Sequence, residues 1–194
     1  MNLKRLLSAR GVHYIATRFG WSKLRSMAFD EKYRSGTWVT LADGVGEFPF
    51  IVQKYLNAGD LLMLGCGGAS LLEGLDLPTL RSVLGVDLSP EAIRLAGCYS
   101  RSNVTFQVGN METFDPPNNY DVILFSESLN YVPLPKQGEL LRRLSGRLKP
   151  GGVFVITFAE AERYRDMLDA MRRAFTVHED RHFRASKRHL IVVS

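Results

Sequence analysis

Two glycines and an acid carry the first chemical suggestion in this chain. Gly65 and Gly67 flank Cys66 directly after the apolar run 61–64, and Asp87 closes the next apolar run, 83–86. A glycine turn lets the backbone close on a ligand that a Cβ would hold off. An acid ending the neighbouring strand can accept hydrogen bonds from both hydroxyls of a ribose. Together they imply an adenosine-containing cofactor at the carboxyl edge of a parallel sheet. Further along, Asn110 and Met111 close a third strand-like run, and Ser126 and Glu127 follow a fourth. Glu127, with Asn130 and Tyr131 one turn on, is the candidate for contact with a second substrate. It could hold an amine or hydroxyl nucleophile or act as its base. The plainer role for the same residues is that Glu127 caps the segment after it while Tyr131 packs inside.

These residues need elements to position them. Apolar runs predict strands near 61–65, 82–87, 104–108, 121–125 and 152–158. Helices are expected near 47–56, 69–76, 90–100, 136–148 and 160–173, with Pro78 limiting the second of these. Ser89 before Pro90 suits a helix cap better than Asp87 does. Regular strand–helix alternation argues for an α/β fold, a parallel sheet with helices on both faces. The tail differs: Phe175–His178 and Leu190–Val193, joined by a basic turn through Arg184 to Arg188, read as a hairpin.

Taken in order, Gly65-Cys66-Gly67, Gly85-Val86-Asp87-Leu88-Ser89, Phe106–Met111, Tyr120–Glu127 and Leu148–Phe154 resemble the motifs of class I (seven-strand, Rossmann-like) methyltransferases of the small-molecule type. The resemblance covers roughly residues 46–194. It implies S-adenosylmethionine as cofactor, a doubly wound sheet of about seven strands and a C-terminal antiparallel hairpin. It places Gly65, Cys66 and Gly67 beside the methionine part, Asp87 at the ribose and Leu88 against the adenine. Asn110 and Met111 fall at the adenine edge, where the family often has an acid, and Ser126 and Glu127 where the transferable methyl should lie. Phe29–Trp38 resembles the aromatic segment that precedes the first motif in some bacterial small-molecule methyltransferases, including saccharide-pathway ones. Tyr33 and Trp38 would then fold over the cofactor toward the substrate; packing of the N-terminal helices is the plainer role. Three positions depart from the pattern. Met63 stands where an acid is usual, Ala69 replaces the last loop glycine, and Asn110 replaces an acid.

Composition bounds the rest. A chain of 194 residues, 45% hydrophobic and 23% charged, suits one α/β domain (46–194) behind a basic N-terminal segment (1–45). No run approaches the roughly twenty apolar residues a membrane span needs. Two cysteines make no disulfide framework, which fits reduced thiols and a cytoplasmic enzyme. No metal is implied. The net charge of +5 is concentrated early: six of the basic residues precede Asp30, the first acid, with leucines at nearly helical spacing. That stretch, residues 1–25, reads as an interfacial helix on anionic lipid, as a transit peptide, or as basic helices packed on the domain.

Rival functions are weighed on the same residues. Gly65-x-Gly67-x-x-Ser70 lacks the third glycine of a dinucleotide fingerprint, against a nicotinamide dehydrogenase. Pro116-Pro117 precedes the fourth strand and does not follow it, against a nucleic-acid base methyltransferase, so nucleic acid is not the expected partner. An RNA or other polyanion is kept as a lesser substrate on charge alone. The expected reaction is methyl transfer to a small molecule, of saccharide type or lipid-linked. The alternative is a methyltransferase-like binding protein that has lost catalysis.

Overall fold

Every residue of the strand Asp60–Leu64 is buried, and successive side chains serve opposite cores. Leu61 and Met63 join one apolar cluster; Leu62 and Leu64 join the other. The two-residue period of a strand puts neighbours on opposite faces, so a strand apolar at every position must be covered twice. The molecule is described from a computed structural model over residues 22–36, 38, 47–159, 161–183 and 187–194.

The elements run α1 (Ser22–Arg34), α2 (Phe48–Leu56), β1 (Asp60–Leu64), β2 (Ser82–Asp87), α3 (Pro90–Ala96), β3 (Val104–Val108), β4 (Tyr120–Ser126), α4 (Leu134–Ser145), β5 (Leu148–Ala159), α5 (Arg165–Ala174), β6 (Val177–Phe183) and β7 (Arg188–Val193). The sheet order is β3-β2-β1-β4-β5-β7-β6. The first five strands are parallel; β7 is antiparallel to both β5 and β6. This is the expected Rossmann-like sheet of seven strands with a terminal hairpin. Buried side chains of α2 pack on one face and those of α4 and α5 on the other. Strand order reverses between β1 and β4, and ligands of open α/β sheets bind at such a reversal.

At the opposite end of β1 an ion cluster ties the sheet together. Lys149 Nζ donates to Asp121 Oδ2 at 2.7 Å and also to Asp60, and Arg81 reaches Asp60 at 3.2 Å. Asp121 Oδ2 also accepts the Asp60 N–H at 2.6 Å.

Several predicted elements need correction. The expected helix over 69–76 is two 3-10 turns, Ser70–Gly74 and Leu77–Thr79. Ala69 enters the first in the left-handed region (φ 58°), and Pro78 follows too closely for an α-helix to build. The helix over 90–100 ends at Ala96 and tightens into a 3-10 turn, Gly97–Tyr99. That over 136–148 lies two or three residues early, because Leu148 already pairs with Tyr120 in the sheet. The helix over 160–173 opens with a 3-10 turn, Ala161–Tyr164, before α5. β5 begins four residues earlier than expected, running through Gly151 at φ 79°. In the hairpin β6 continues to Phe183 and Arg188 is in β7, so the turn is shorter than drawn from the charges; residues 184–186 lie outside the described residues. The basic stretch up to Trp21 also lies outside them. Among the described residues no helix is long and apolar enough to cross a membrane.

Candidate active site

The carboxyl ends of β1, β2 and β4 open into one cleft, roofed by α1. The loop leaving β1 turns back at once: Gly65 N–H and Cys66 N–H both donate to Val86 O, at 2.8 and 3.1 Å. Gly65 (φ 70°) and Gly67 (φ 56°) are left-handed, a conformation that L side chains resist. A Cβ on Gly65 would lie 2.4 Å from Ser128 Cβ, and one on Gly67 would lie 2.7 Å from the Tyr33 hydroxyl. Ser128, which the sequence reading missed, is locked by its hydroxyl donating to Leu64 O at 2.6 Å.

Asp87, only 6% exposed, ends β2 beneath this loop. Its Oδ2 accepts the Gly67 N–H and its Oδ1 the Ser89 N–H, both at 2.9 Å. Burial pushes its carboxyl above the usual range; the Ser89 and Gly67 amides, and more weakly that of Leu88, pull it down, and the nearby Asp30 charge adds to the rise. Each oxygen keeps a lone pair beyond its backbone bond. Ser89 is the cap of α3, its Oγ accepting the Ala92 N–H at 3.1 Å, as the sequence suggested. Leu88, Met111 and Cys66 line the same cleft. Burial holds the Cys66 thiol neutral, well above its ordinary pKa, with the Asp87 charge adding to it.

Asn110 is placed differently. It is not among the cleft-lining residues, and its Oδ1 accepts the Glu112 N–H at 3.0 Å, which holds it in a local turn outside the cleft. Asn130 also leaves the site. It lines a second pocket with Gln137 and Tyr164, and its amide nitrogen stands 3.2 Å from the Tyr164 hydroxyl. A polar residue one turn past Glu127 points away because the segment Leu129–Tyr131 is a 3-10 turn, not α-helix.

The other end of the cleft is aromatic and charged. Phe29, Trp38 and Tyr131 form a cluster with centroids 5.1–5.9 Å apart, and Tyr33 stands edge-on to Trp38 at 5.1 Å. Beside it lies Glu127, directly after Ser126. Its left-handed backbone (φ 53°) is held by its N–H donating to Thr157 O and Oγ1, both at 3.1 Å. The Glu127 side chain pairs with Arg188 at 2.8 Å and does not cap the next segment. Their side chains are 23% and 13% exposed. Burial raises the Glu127 carboxyl above its usual range and Arg188 opposes that rise. Burial likewise raises the Tyr33 and Tyr131 phenols, which stay neutral.

Thus the structure brings Gly65, Cys66, Gly67, Asp87, Leu88, Met111, Ser126, Glu127, Tyr131, Tyr33 and Trp38 to one cleft. The residues fit the methionine-nucleoside cofactor in two respects: a cradle that a Cβ would fill, and a buried carboxylate with lone pairs to spare. Missed in the sequence were Phe29, Phe48, Ser128 and Arg188. Met63 sits in the wall without filling the cleft. Among the described residues no group of His, Cys, Asp or Glu is arranged to hold a metal ion.

Comparison with known proteins gives the same picture. The family model described as a methyltransferase domain matches residues 61–152. A ubiquinone biosynthesis O-methyltransferase of Nitrosospira multiformis is 32% identical over 102 residues, covering 50% of this chain and 41% of that one. The chain therefore matches about two fifths of the length of that relative. Among solved structures, the N-methyltransferase NodS of Bradyrhizobium japonicum, in complex with S-adenosyl-L-homocysteine, superimposes with a TM-score of 0.70 at 17% identity, covering 87% of this chain and 96% of that one. A TehB-like S-adenosylmethionine-dependent methyltransferase of Corynebacterium glutamicum gives 0.68 at 22% identity, covering 87% and 98%.

Proposed function

We propose that this chain is a class I S-adenosylmethionine-dependent methyltransferase that transfers a methyl group from that cofactor to a small-molecule acceptor, a reading supported by the methyltransferase-domain match over residues 61–152 and the shared fold. One observation carries the reading most: Asp87, at the end of β2, is aimed by the Gly67 and Ser89 amides with lone pairs left for a ribose. Gly65 and Gly67 leave room for the methionine part, and Leu88 and Met111 offer apolar surface to the adenine. When bound, the sulfonium supplies an electrophilic methyl and a neutral leaving group. The protein's share is then mostly alignment of nucleophile and methyl carbon. Glu127 is placed to take the proton of a hydroxyl or amine acceptor. Its raised proton affinity suits that task, and Arg188 keeps it ionised and oriented. Tyr33, Trp38 and Tyr131 supply the wall against which the acceptor body lies.

The O-methyltransferase name of the curated relatives supports an oxygen nucleophile. A saccharide-type or lipid-linked acceptor is the finer reading. The saccharide part rests on the resemblance of the segment Phe29–Trp38 alone; the lipid-linked part is supported by the basic, leucine-punctuated stretch 1–25, suited to an anionic membrane surface facing the cytoplasm. Residues 1–45 then act as a lid and docking segment and 46–194 as the catalytic domain. Sedimentation with anionic vesicles tests the membrane part: loss of binding on deletion of 1–25 supports it, and no binding by the full chain removes it. A second reading, a binding protein of this fold without transfer, rests on Asn110, which lies outside the cleft lining, and on Met63 in place of an acid.

Calorimetric titration with S-adenosylmethionine and S-adenosylhomocysteine decides between the two. Micromolar binding of both supports the enzyme. No heat from a folded protein leaves the binding module.

A further inference from the structure

Asp30 belongs to α1, yet its carboxylate is spent across the groove on the nucleoside side of the cleft. Its Oδ1 accepts the Ser89 hydroxyl and also the Glu91 N–H, the latter at 3.2 Å. Ser89 joins this carboxylate to the other one, since its own N–H donates to Asp87 Oδ1 at 2.9 Å. Asp87 passes the chain of bonds on through Oδ2 to the Gly67 N–H at 2.9 Å. One turn along α1 from Asp30, the Tyr33 hydroxyl stands over that same Gly67. One turn before Asp30, Ser26 Oγ donates to Leu88 O at 3.0 Å. The helix therefore grips both ends of one hydrogen-bonded strip whose middle is Asp87.

We infer that Asp30 is a positioning residue for the nucleoside site, holding Ser89 so that Asp87 keeps its lone pairs for the ligand and so that seating of α1 and binding of the nucleoside are one coupled event. This rests on the reading of Asp87 as the ribose acceptor. The physical reason lies in the Ser89 hydroxyl, which carries one rotatable proton. With Asp30 in place that proton points at α1. When that bond is cut from either side, Ser89, whose N–H aims Asp87 Oδ1, is no longer held against α1, and the carboxylate loses its fixed direction toward a ribose. Asp30 also adds a second negative charge beside a buried carboxylate. Donors brought by a ribose relieve that crowding, so the seated helix and the ligand favour each other. Such coupling is reciprocal: whatever α1 adds to ligand affinity, the ligand adds to α1 seating.

The test titrates the full chain with S-adenosylhomocysteine and follows tryptic cleavage after Lys32 and Arg34 in α1. Asp30→Ala is expected to weaken binding about tenfold, the net worth of one hydrogen bond to a charged group. It should also abolish ligand protection of α1. Asp30→Asn keeps an oxygen that accepts both bonds, and should restore affinity to within about twofold together with protection. A residue that merely stabilises α3 would lower the melting temperature without moving protection or being selectively rescued. Ser89→Ala keeps the Asp87 bond but cuts the relay, so it should weaken binding several-fold, and adding Asp30→Ala should cost no more than about twofold again. If Asp30→Ala does not fold, Ser89→Ala carries the test alone. Wild-type affinity in the folded Asp30→Ala or Ser89→Ala protein, or unchanged protection, overturns the inference. Absence of binding by the wild type defeats the cofactor reading itself, a result distinct from either.

Discussion

Replacing Asp87 with alanine should separate ligand affinity from protein stability. Each carboxylate oxygen already holds one backbone N–H at 2.9 Å, leaving capacity for two ribose hydroxyls. Hydrogen bonds to a charged group are worth about 1.5–3 kcal/mol each, less the cost of desolvating the hydroxyls, so we expect a loss of about 1–3 kcal/mol. That is about a fivefold to 150-fold rise in dissociation constant for S-adenosylhomocysteine. The free protein should change by only about 1 kcal/mol. Removing a carboxylate that is 6% exposed and beside Asp30 relieves a cost, while two amides lose their partner. The discriminating assay compares adenosine with 2′-deoxyadenosine in wild type and variant. The wild type should prefer adenosine, and Asp87→Ala should show no preference. A preference that survives the substitution, or an affinity loss below twofold, would refute the ribose assignment. Because the folded carboxyl titrates above its usual value, affinity should fall on acidification before an ordinary aspartate would protonate. Asp87→Ala should flatten that dependence.

Three other perturbations probe separate parts of the molecule. Gly65→Ala should reduce cofactor affinity and cost about 2–4 kcal/mol of stability in urea unfolding, from the left-handed backbone and the crowding of Ser128; less than about 0.5 kcal/mol would contradict the cradle. Arg188→Met should move Glu127 titration, followed by carbon NMR, further upward, since burial already raises it and Arg188 opposes that rise. No movement would mean that the pair does not set its charge. Lys149→Met should cost about 1–2 kcal/mol at neutral pH by leaving Asp60 and Asp121 without their shared cation. Burial pushes the Asp60 carboxyl up, but hydrogen bonds from Lys149 and Ser82 outweigh it and the net pKa is lowered. A lowered folded pKa contributes stability above the unfolded value of about 3.8 that is lost as pH falls through the folded one. The difference between variant and wild type should therefore shrink below about pH 4, and a pH-independent difference would remove the electrostatic account.

Much of the glycine-and-acid end of the cleft was legible in the sequence because it is written locally. Gly65, Gly67 and Asp87 are each placed by the strand they follow, and the strands announce themselves by continuous apolar runs. The misreadings are equally local in cause. Asn110 carries the right chemistry at the right distance, but its side chain finds Glu112 N–H two residues on before it can reach a ligand. Asn130 follows Glu127 at a helical interval, yet the chain there makes a 3-10 turn. Arg188 was out of reach for another reason: it stood in a cluster of basic residues that read as a turn. Nothing local marks it as the partner of Glu127; that pairing needs β7 set antiparallel against β5, with Arg188 opposite Ala159. Asp30 was likewise unreadable, since its partners Ser89 and Glu91 depend on how α1 lies over the sheet.

The order β4-β5-β7-β6 has a consequence for how such a protein can change its diet. The proposed grip on the nucleoside lies in the parallel half, in β1, β2 and the loops that leave them. Arg188, which pairs with Glu127, arrives on a hairpin whose two strands pair with each other and touch the rest of the sheet through β7 alone. Lengthening, recolouring or re-registering that hairpin would alter the molecules admitted while leaving the cofactor's seat untouched. Selection can therefore experiment at one edge of the sheet, with the chemistry kept constant at its centre.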